Sequence, residues 1–142
     1  MPIGGTPNQY PGAGYFNTNS FLASGLPYLT GSTLFTSNFA NNNAEVKIEF
    51  PRVARSFFIV NRSTTDIRVH FNSVADGRVI EGHHYFSLTG DRDSVTFVQR
   101  VTEVYVSLAA SGSNGQFELV AELTNIPASD MRITLTGSGL TE

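Results

Sequence analysis

The residues best suited to metal chemistry are an adjacent histidine pair and two aspartates. A zinc site needs converging ligands, whereas His83 and His84, as neighbours on a strand, would point to opposite faces. Asp91 and Asp93 lie in a Gly-led turn, but the spaced ligands and the closing glutamate of a calcium loop are missing. We therefore expect surface or inter-subunit histidines, a solvated turn, no metal and no other cofactor.

The sequence contains no recognisable catalytic constellation. Glycoside hydrolysis needs two acids that flank a sugar cleft, whereas Glu118 and Glu122 share one face of a predicted strand that should be exposed to solvent. There is no Gly-x-Ser-x-Gly elbow and no Gly-rich loop before a helix. The chain has no cysteine, which excludes thiolate nucleophiles and disulfides. We predict that the protein is not an enzyme.

Length and composition favour one charge-poor domain with an appendage. The chain has 142 residues, and 15% of them are charged, against about 25% in typical soluble domains. The net charge of -3 gives no basic footprint for nucleic acid. Neither a continuous apolar stretch long enough for a membrane span nor a signal peptide is recognisable. We expect synthesis in a cytoplasm and no direct binding to nucleic acid or membrane.

The charges divide the chain into two regions. No Asp, Glu, Lys, Arg or His occurs from Pro2 to Ala44, and every charged side chain follows from Glu45 onward. We predict an extended arm over residues 1–44 and a β-domain over residues 45–142. An alternative is that residues 28 to 40 contribute a strand to the domain and only the first twenty or so form the arm.

The predicted arm is rich in aromatic residues, unlike typical disordered linkers. Proline and glycine interrupt it, and it has no sustained helical or strand period. Burying these rings on other subunits would offset the entropy lost on ordering the segment, so we expect an arm that is mobile alone and fixed on assembly. The predicted partner-binding rings are Tyr10, Tyr15, Phe16, Phe21, Tyr28, Phe35 and Phe39.

A period of two dominates the rest of the chain. Residues 45–50 alternate charged and apolar side chains, as a half-buried strand does, and Pro51 should end that strand. The apolar run at residues 56–60 fits a central strand covered on both faces. Residues 66–71 alternate again and place His70 toward solvent.

The clearest turn signal lies between residues 101–108 and 116–124, where Asn114-Gly115 favours a β-hairpin. Weaker strand signals occur at residues 79–80, 84–88 and 95–98, and residues 131–136 form a last alternating strand. About eight short strands with frequent turns indicate an all-β antiparallel β-sandwich or a small barrel. We favour the sandwich, with jelly-roll-like connections and an extended N-terminal arm. Arg52, Arg55 and Arg62 surround the second predicted strand and are candidates for pairing with a neighbour's acids.

With residues 56–61 opening the domain and residues 117–124 near its end, this charge-light, cysteine-free β-domain resembles small virion structural proteins of tailed bacteriophages, in particular capsid decoration or cement proteins. The resemblance is one of general character over residues 45 to 136 and transfers no individual residue's role. It implies a virion protein that binds the major capsid protein or other virion subunits, often as a homo-oligomer such as a trimer.

Two alternatives remain open at the level of sequence. A tail, neck or baseplate component would use the same arm for ring assembly. A carbohydrate-binding module, from a different functional class, would need an exposed aromatic platform, for which Tyr85 or Tyr105 on an outward face would be the candidates.

Overall fold

The computed structural model describes residues 26–39, 44–73 and 84–130, and this part of the chain is built from antiparallel strands. Two short 3-10 turns, Thr36–Asn38 and Ala128–Asp130, are its helical elements. The predicted all-β, sandwich-like fold is confirmed. The strands are β1 (Leu26–Leu34), β2 (Val46–Asn61), β3 (Ile67–His70), β4 (Phe86–Leu88), β5 (Ser94–Phe97), β6 (Val101–Leu108) and β7 (Gly115–Pro127).

The long strand β2 organises the sheet, whose order is β1-β7-β2-β6-β3-β4. At its bend, Ala54 pairs with Val101 of β6 on one edge and with Leu123 of β7 on the other. β5 pairs with β2 where Phe57 faces Phe97, so β5 and β6 follow one another along the same edge. Both edges of β2 are therefore occupied around the bend.

β2 must fold the sheet over itself. A straight strand would separate its ends by about 50 Å, yet the connection from Leu108 to Gly115 can span only about 25 Å. The two residues are in fact neighbours, since a Cβ on Gly115 would lie 2.7 Å from Leu108 Cδ2. The first half of β2 thus lies in one layer with β6, and the second half lies in the other layer with β7.

Two local predictions about this region were wrong. Pro51 does not end a strand, because β2 continues past it; it lies where the pairing with β6 shifts register between Glu49 and Ala54, and a missing N–H is tolerated at such an irregularity. The connection at Asn114-Gly115 does not close a hairpin, because β6 and β7 are both antiparallel to β2 and lie on its opposite edges.

The space between the layers is filled by the inward residues of the strands. Phe57, which is 1% exposed, stacks on Phe97 with ring centroids 4.9 Å apart and meets Phe71 edge-on at 6.3 Å. Offset or edge-on aromatic contacts of this kind add about 0.5–1.5 kcal/mol each to simple burial. Other large buried side chains are Leu34, Ile59, Ile67, Leu88, Leu108, Phe117, Leu119 and Leu123.

The boundary predicted near Asn43 needs correction, because the sheet begins earlier. β1 pairs with β7 of the same chain over its whole length, from Leu26↔Leu123 to Leu34↔Gly115. Residues 26–34 thus belong to the domain, in agreement with the alternative stated for residues 28 to 40. The charge pattern did not predict this strand, because it contains no charged residue and its polar positions are Thr, Ser and Gly.

Two strand predictions, at residues 79–80 and 131–136, lie outside the described residues. The prediction at residues 84–88 corresponds to β4, and the one at residues 95–98 corresponds to β5.

Candidate interaction surface

An apolar row crosses the outer face of three adjacent strands. Leu29 of β1 pairs with Val120 of β7, which in turn pairs with Phe58 of β2. Their exposed fractions are 77%, 37% and 39%, respectively. Leu29, Val120 and Phe58 are called the outer-face patch below. Apolar side chains exposed together in this way often mark an interaction site.

Strand alternation places these residues outside. Phe57 and Ile59 point into the core at 1% and 0% exposure, so Phe58 between them points outward. The expectation that residues 56–60 are covered on both faces was therefore wrong for Phe58. A short apolar run has the same composition whether one or both of its faces are buried.

The outer-face patch borders a shallow groove of about 430 Å³. Val60 and Glu118 line the groove beside the patch, and Gly31 contributes backbone without a side chain. The groove is thus open next to Leu29 and is walled mainly by apolar atoms.

Charges next to the outer-face patch are paired within the chain. Arg62 Nε lies 2.9 Å from Glu118 Oε1, and Arg55 Nη1 lies 3.8 Å from Glu122 Oε2. Exposed pairs of this kind contribute little to stability, but two arginines and two glutamates leave no net charge. The surroundings of the patch therefore suit an uncharged partner.

The three arginines predicted to meet a neighbour's acids all contact β7 of their own chain. Arg55 and Arg62 form the ion pairs above, and Arg52 donates a hydrogen bond from Nη1 to the carbonyl oxygen of Asn125 at 2.9 Å. Glu118 and Glu122, considered above as a catalytic pair, are the exposed partners of Arg62 and Arg55. Binding of the arginines to another subunit remains a prediction.

The aromatic residues of the uncharged region divide into two groups. Tyr10, Tyr15, Phe16 and Phe21 lie outside the described residues. In the described part, Tyr28 meets Phe50 edge-on at 5.3 Å, and both Tyr28 and Phe39 pack against the core. Phe35, which follows β1, is 51% exposed and is the ring of this second group that remains most available to a partner.

A buried histidine and serine form a polar network that the sequence did not reveal. His70 Nδ1 lies 2.6 Å from the carbonyl oxygen of Asn72, and Nε2 lies 2.9 Å from Ser107 Oγ. A carbonyl only accepts, so Nδ1 carries the hydrogen, and Ser107 donates to Nε2. Burial lowers the pKa of His70 from 6.5 to about 4, against a raising effect from the Asn72 hydrogen bond.

In this network a serine hydroxyl donates to a neutral histidine, as a nucleophile does to its general base. The buried position of the two side chains is nevertheless unsuited to catalysis. His70 and Ser107 are each 1% exposed, and the Tyr105 ring lies parallel to the imidazole at 5.8 Å. No surface is left for a substrate at the hydroxyl. The prediction that His70 faces solvent was therefore wrong, and the described arrangement is a structural one.

The sugar platform considered above is not formed by the two candidate tyrosines. Tyr105 is 8% exposed, so its predicted outward position was wrong. The Tyr85 ring is partly buried, and the Arg68 guanidinium lies 4.3 Å from its centroid. The Tyr105 ring is therefore largely unavailable, and the Arg68 guanidinium covers one face of the Tyr85 ring.

The described residues include three of the four metal candidates, His84, Asp91 and Asp93. His83 lies outside the described residues, and Asp93 accepts hydrogen bonds from the backbone N–H groups of Thr89 and Ser94. Within residues 26–39, 44–73 and 84–130, no group of three potential His, Cys, Asp or Glu ligands converges. The same ranges contain no helix long and apolar enough to cross a membrane.

No protein-family model, curated protein or solved structure matches this chain. Its function must therefore be inferred from its own residues and their arrangement.

Proposed function

We propose that this protein is a structural component of a tailed-bacteriophage virion, of the capsid decoration or cement type. In this role it binds the assembled head through its β-domain and through the uncharged residues 1–25. The observation that carries the proposal is the combination of a charge-free, aromatic-rich segment with an adjoining β-domain that exposes an apolar patch. Both features suit burial against other subunits.

The attachment uses several weak contacts. Covering each side chain of the outer-face patch is worth on the order of 1–3 kcal/mol, with the largest share for Leu29, which is 77% exposed. One such contact is too weak to hold a subunit alone, whereas linked contacts made by the domain and the N-terminal segment reinforce one another. The partners are the major capsid protein or other virion subunits, with a homo-oligomer, such as a trimer, as the attached form.

The direct test mixes the purified protein with phage heads that were assembled without it and sediments the particles. We expect the protein to pellet with the heads at a saturating, lattice-defined stoichiometry. Failure to bind heads, together with binding to isolated tails, necks or baseplates, would instead favour the tail, neck or baseplate alternative, whose sites follow six-fold or twelve-fold rings.

A carbohydrate-binding function is the candidate from another class. Its support is reduced by the burial of Tyr105 and by the packing of Tyr85 against Arg68. A glycan array separates it from the proposal: binding to a defined sugar in the absence of any particle would favour the carbohydrate-binding module.

A further inference from the structure

We propose that the outer-face patch is the docking site for the N-terminal segment, residues 10–21, of a second copy of this chain. The inference rests on the proposed function and deepens it, because it names a surface through which neighbouring copies would be linked on the particle. Its basis is the match between the patch and that segment in charge, apolar character and reach.

The charges around the patch suit an uncharged segment. Both ion pairs beside the patch are closed within the chain, at 2.9 Å between Arg62 and Glu118 and 3.8 Å between Arg55 and Glu122. A charged partner would have to break them or remain unpaired on an apolar surface, which is unfavourable. Residues 2–25 carry no charge, so they can cover the patch without either cost.

The second match is between the apolar groove and the size of the aromatic side chains in the segment. The groove of about 430 Å³ runs beside Leu29 and Val120, and Gly31 lines it without a side chain. The segment offers Tyr10, Tyr15, Phe16 and Phe21. Aromatic anchors in apolar pockets provide much of the binding energy in protein interfaces.

The connection to β1 favours a second copy over the same chain. Pro27 disfavours the helical region for Leu26 before it, so the backbone is extended where β1 begins at Leu26. The 25 residues before Leu26 can reach up to about 80 Å when extended, far beyond the sheet to which they are attached.

The test uses the absence of cysteine from the full chain. One copy carries Asn17→Cys, beside Phe16, and a second, differently tagged copy carries Val60→Cys on the groove wall. A short bis-maleimide is added to the mixture over a range of protein concentrations. The control replaces Val60→Cys with Val98→Cys, at an exposed valine between β5 and β6.

We expect the Asn17–Val60 heterodimer to form at least tenfold faster than the Asn17–Val98 heterodimer, and Phe58→Ser in the acceptor copy to remove the difference. Equal rates would overturn the proposal. A chain carrying both Asn17→Cys and Val60→Cys that closes on itself without forming dimers would overturn the second-copy occupant.

Head binding separates this inference from the proposed function. A protein that pellets with heads but shows no preferential cross-link retains the proposed function and loses the docking site. A protein that cross-links as expected but binds no virion part retains the docking site and loses the proposed function.

Discussion

At the scale of single residues, buried polar groups at the ends of strands hold the two layers in place. Asn61, at the end of β2, is 0% exposed and directs its amide nitrogen at the carbonyl oxygens of Thr65, Leu88 and Thr89. Its side-chain oxygen accepts from the N–H of Ser63. One amide thus joins β2, the following turn and β4, a role that no local sequence pattern reveals.

Replacing Asn61 with Ala should destabilise the fold by about 2–4 kcal/mol, because buried carbonyl oxygens lose their donor. Chemical denaturation followed by circular dichroism measures the change. The control is Asn125→Ala, at an exposed position of β7, expected within about 0.5 kcal/mol of the parent. Equal effects of the two substitutions would contradict the bridging role of Asn61.

His70 should make stability depend on pH. Its pKa is lowered from 6.5 to about 4 in the folded chain, chiefly by burial, so below pH 6.5 the unfolded chain binds a proton that the folded chain does not. Stability should therefore fall between pH 6.5 and about 4, by on the order of 3 kcal/mol, and this histidine should add nothing further below that range.

The free energy of unfolding measured from pH 8 to pH 4 checks this effect. His70→Gln should lose that part of the pH dependence, whereas His84→Gln should retain it. Most carboxylates titrate in the same way in both variants; the exception is Glu45, whose Oε2 lies 3.9 Å from His70 Nδ1. Identical pH profiles for the two variants would refute the assignment to His70.

At the scale of elements, the alternation of side chains along β2 places residues that stabilise the core on the inner face of the strand. It places residues available for contact with other molecules on the outer face. Phe57 and Phe58 are adjacent and identical in type but differ in exposure, at 1% and 39%. Phe57→Ala should cost about 3–5 kcal/mol through a core cavity, and Phe58→Ala less than about 1 kcal/mol. Thermal denaturation of the two variants measures the stability that each has lost. Comparable losses of stability would mean that Phe58 also belongs to the core.

The turn between β4 and β5 packs tightly against the turn after β2. A Cβ at Gly90 would lie 2.3 Å from the carbonyl oxygen of Thr64, which is backbone and cannot rotate away. Gly90→Ala should therefore destabilise the protein by about 1–3 kcal/mol or more. Gly112→Ala is the matched control, since nothing lies within 4 Å of its added Cβ, and its melting temperature should stay near that of the parent.

The period-two pattern predicted most strands, because alternation records which face of a strand is buried. It could not predict how strands pair over long distances. Asn114-Gly115 has the composition of a hairpin turn, yet Asn114 accepts a hydrogen bond from the N–H of Thr36 and Gly115 fits against Leu108. These contacts depend on the bend of β2, which no local pattern encodes.

The interaction surface was only partly predictable for the same reason. The uncharged aromatic region is visible in the sequence, but its division at Leu26 depends on the pairing of β1 with β7. The outer-face patch required the register that aligns Leu29, Val120 and Phe58 across three strands. Composition identifies residues suited to an interface, whereas the register decides which of them share a surface.

At the scale of the whole molecule, the proposal combines a folded β-domain with a segment that binds other subunits. The domain buries its apolar residues between two layers, while Phe35 and the outer-face patch remain exposed. Residues 1–25 add four aromatic rings and no charge. Attachment to a particle should therefore depend on both parts, and loss of either should weaken binding without unfolding the other.

The most direct test of this claim is the dissociation constant of the full chain for phage heads, measured with and without Phe16→Ala and Phe21→Ala. The control is Phe86→Ala, which removes an exposed ring from β4. The proposal predicts that the double substitution raises the dissociation constant at least about tenfold with an unchanged melting temperature, whereas the control has little effect. An unchanged dissociation constant for the double substitution would contradict the central claim.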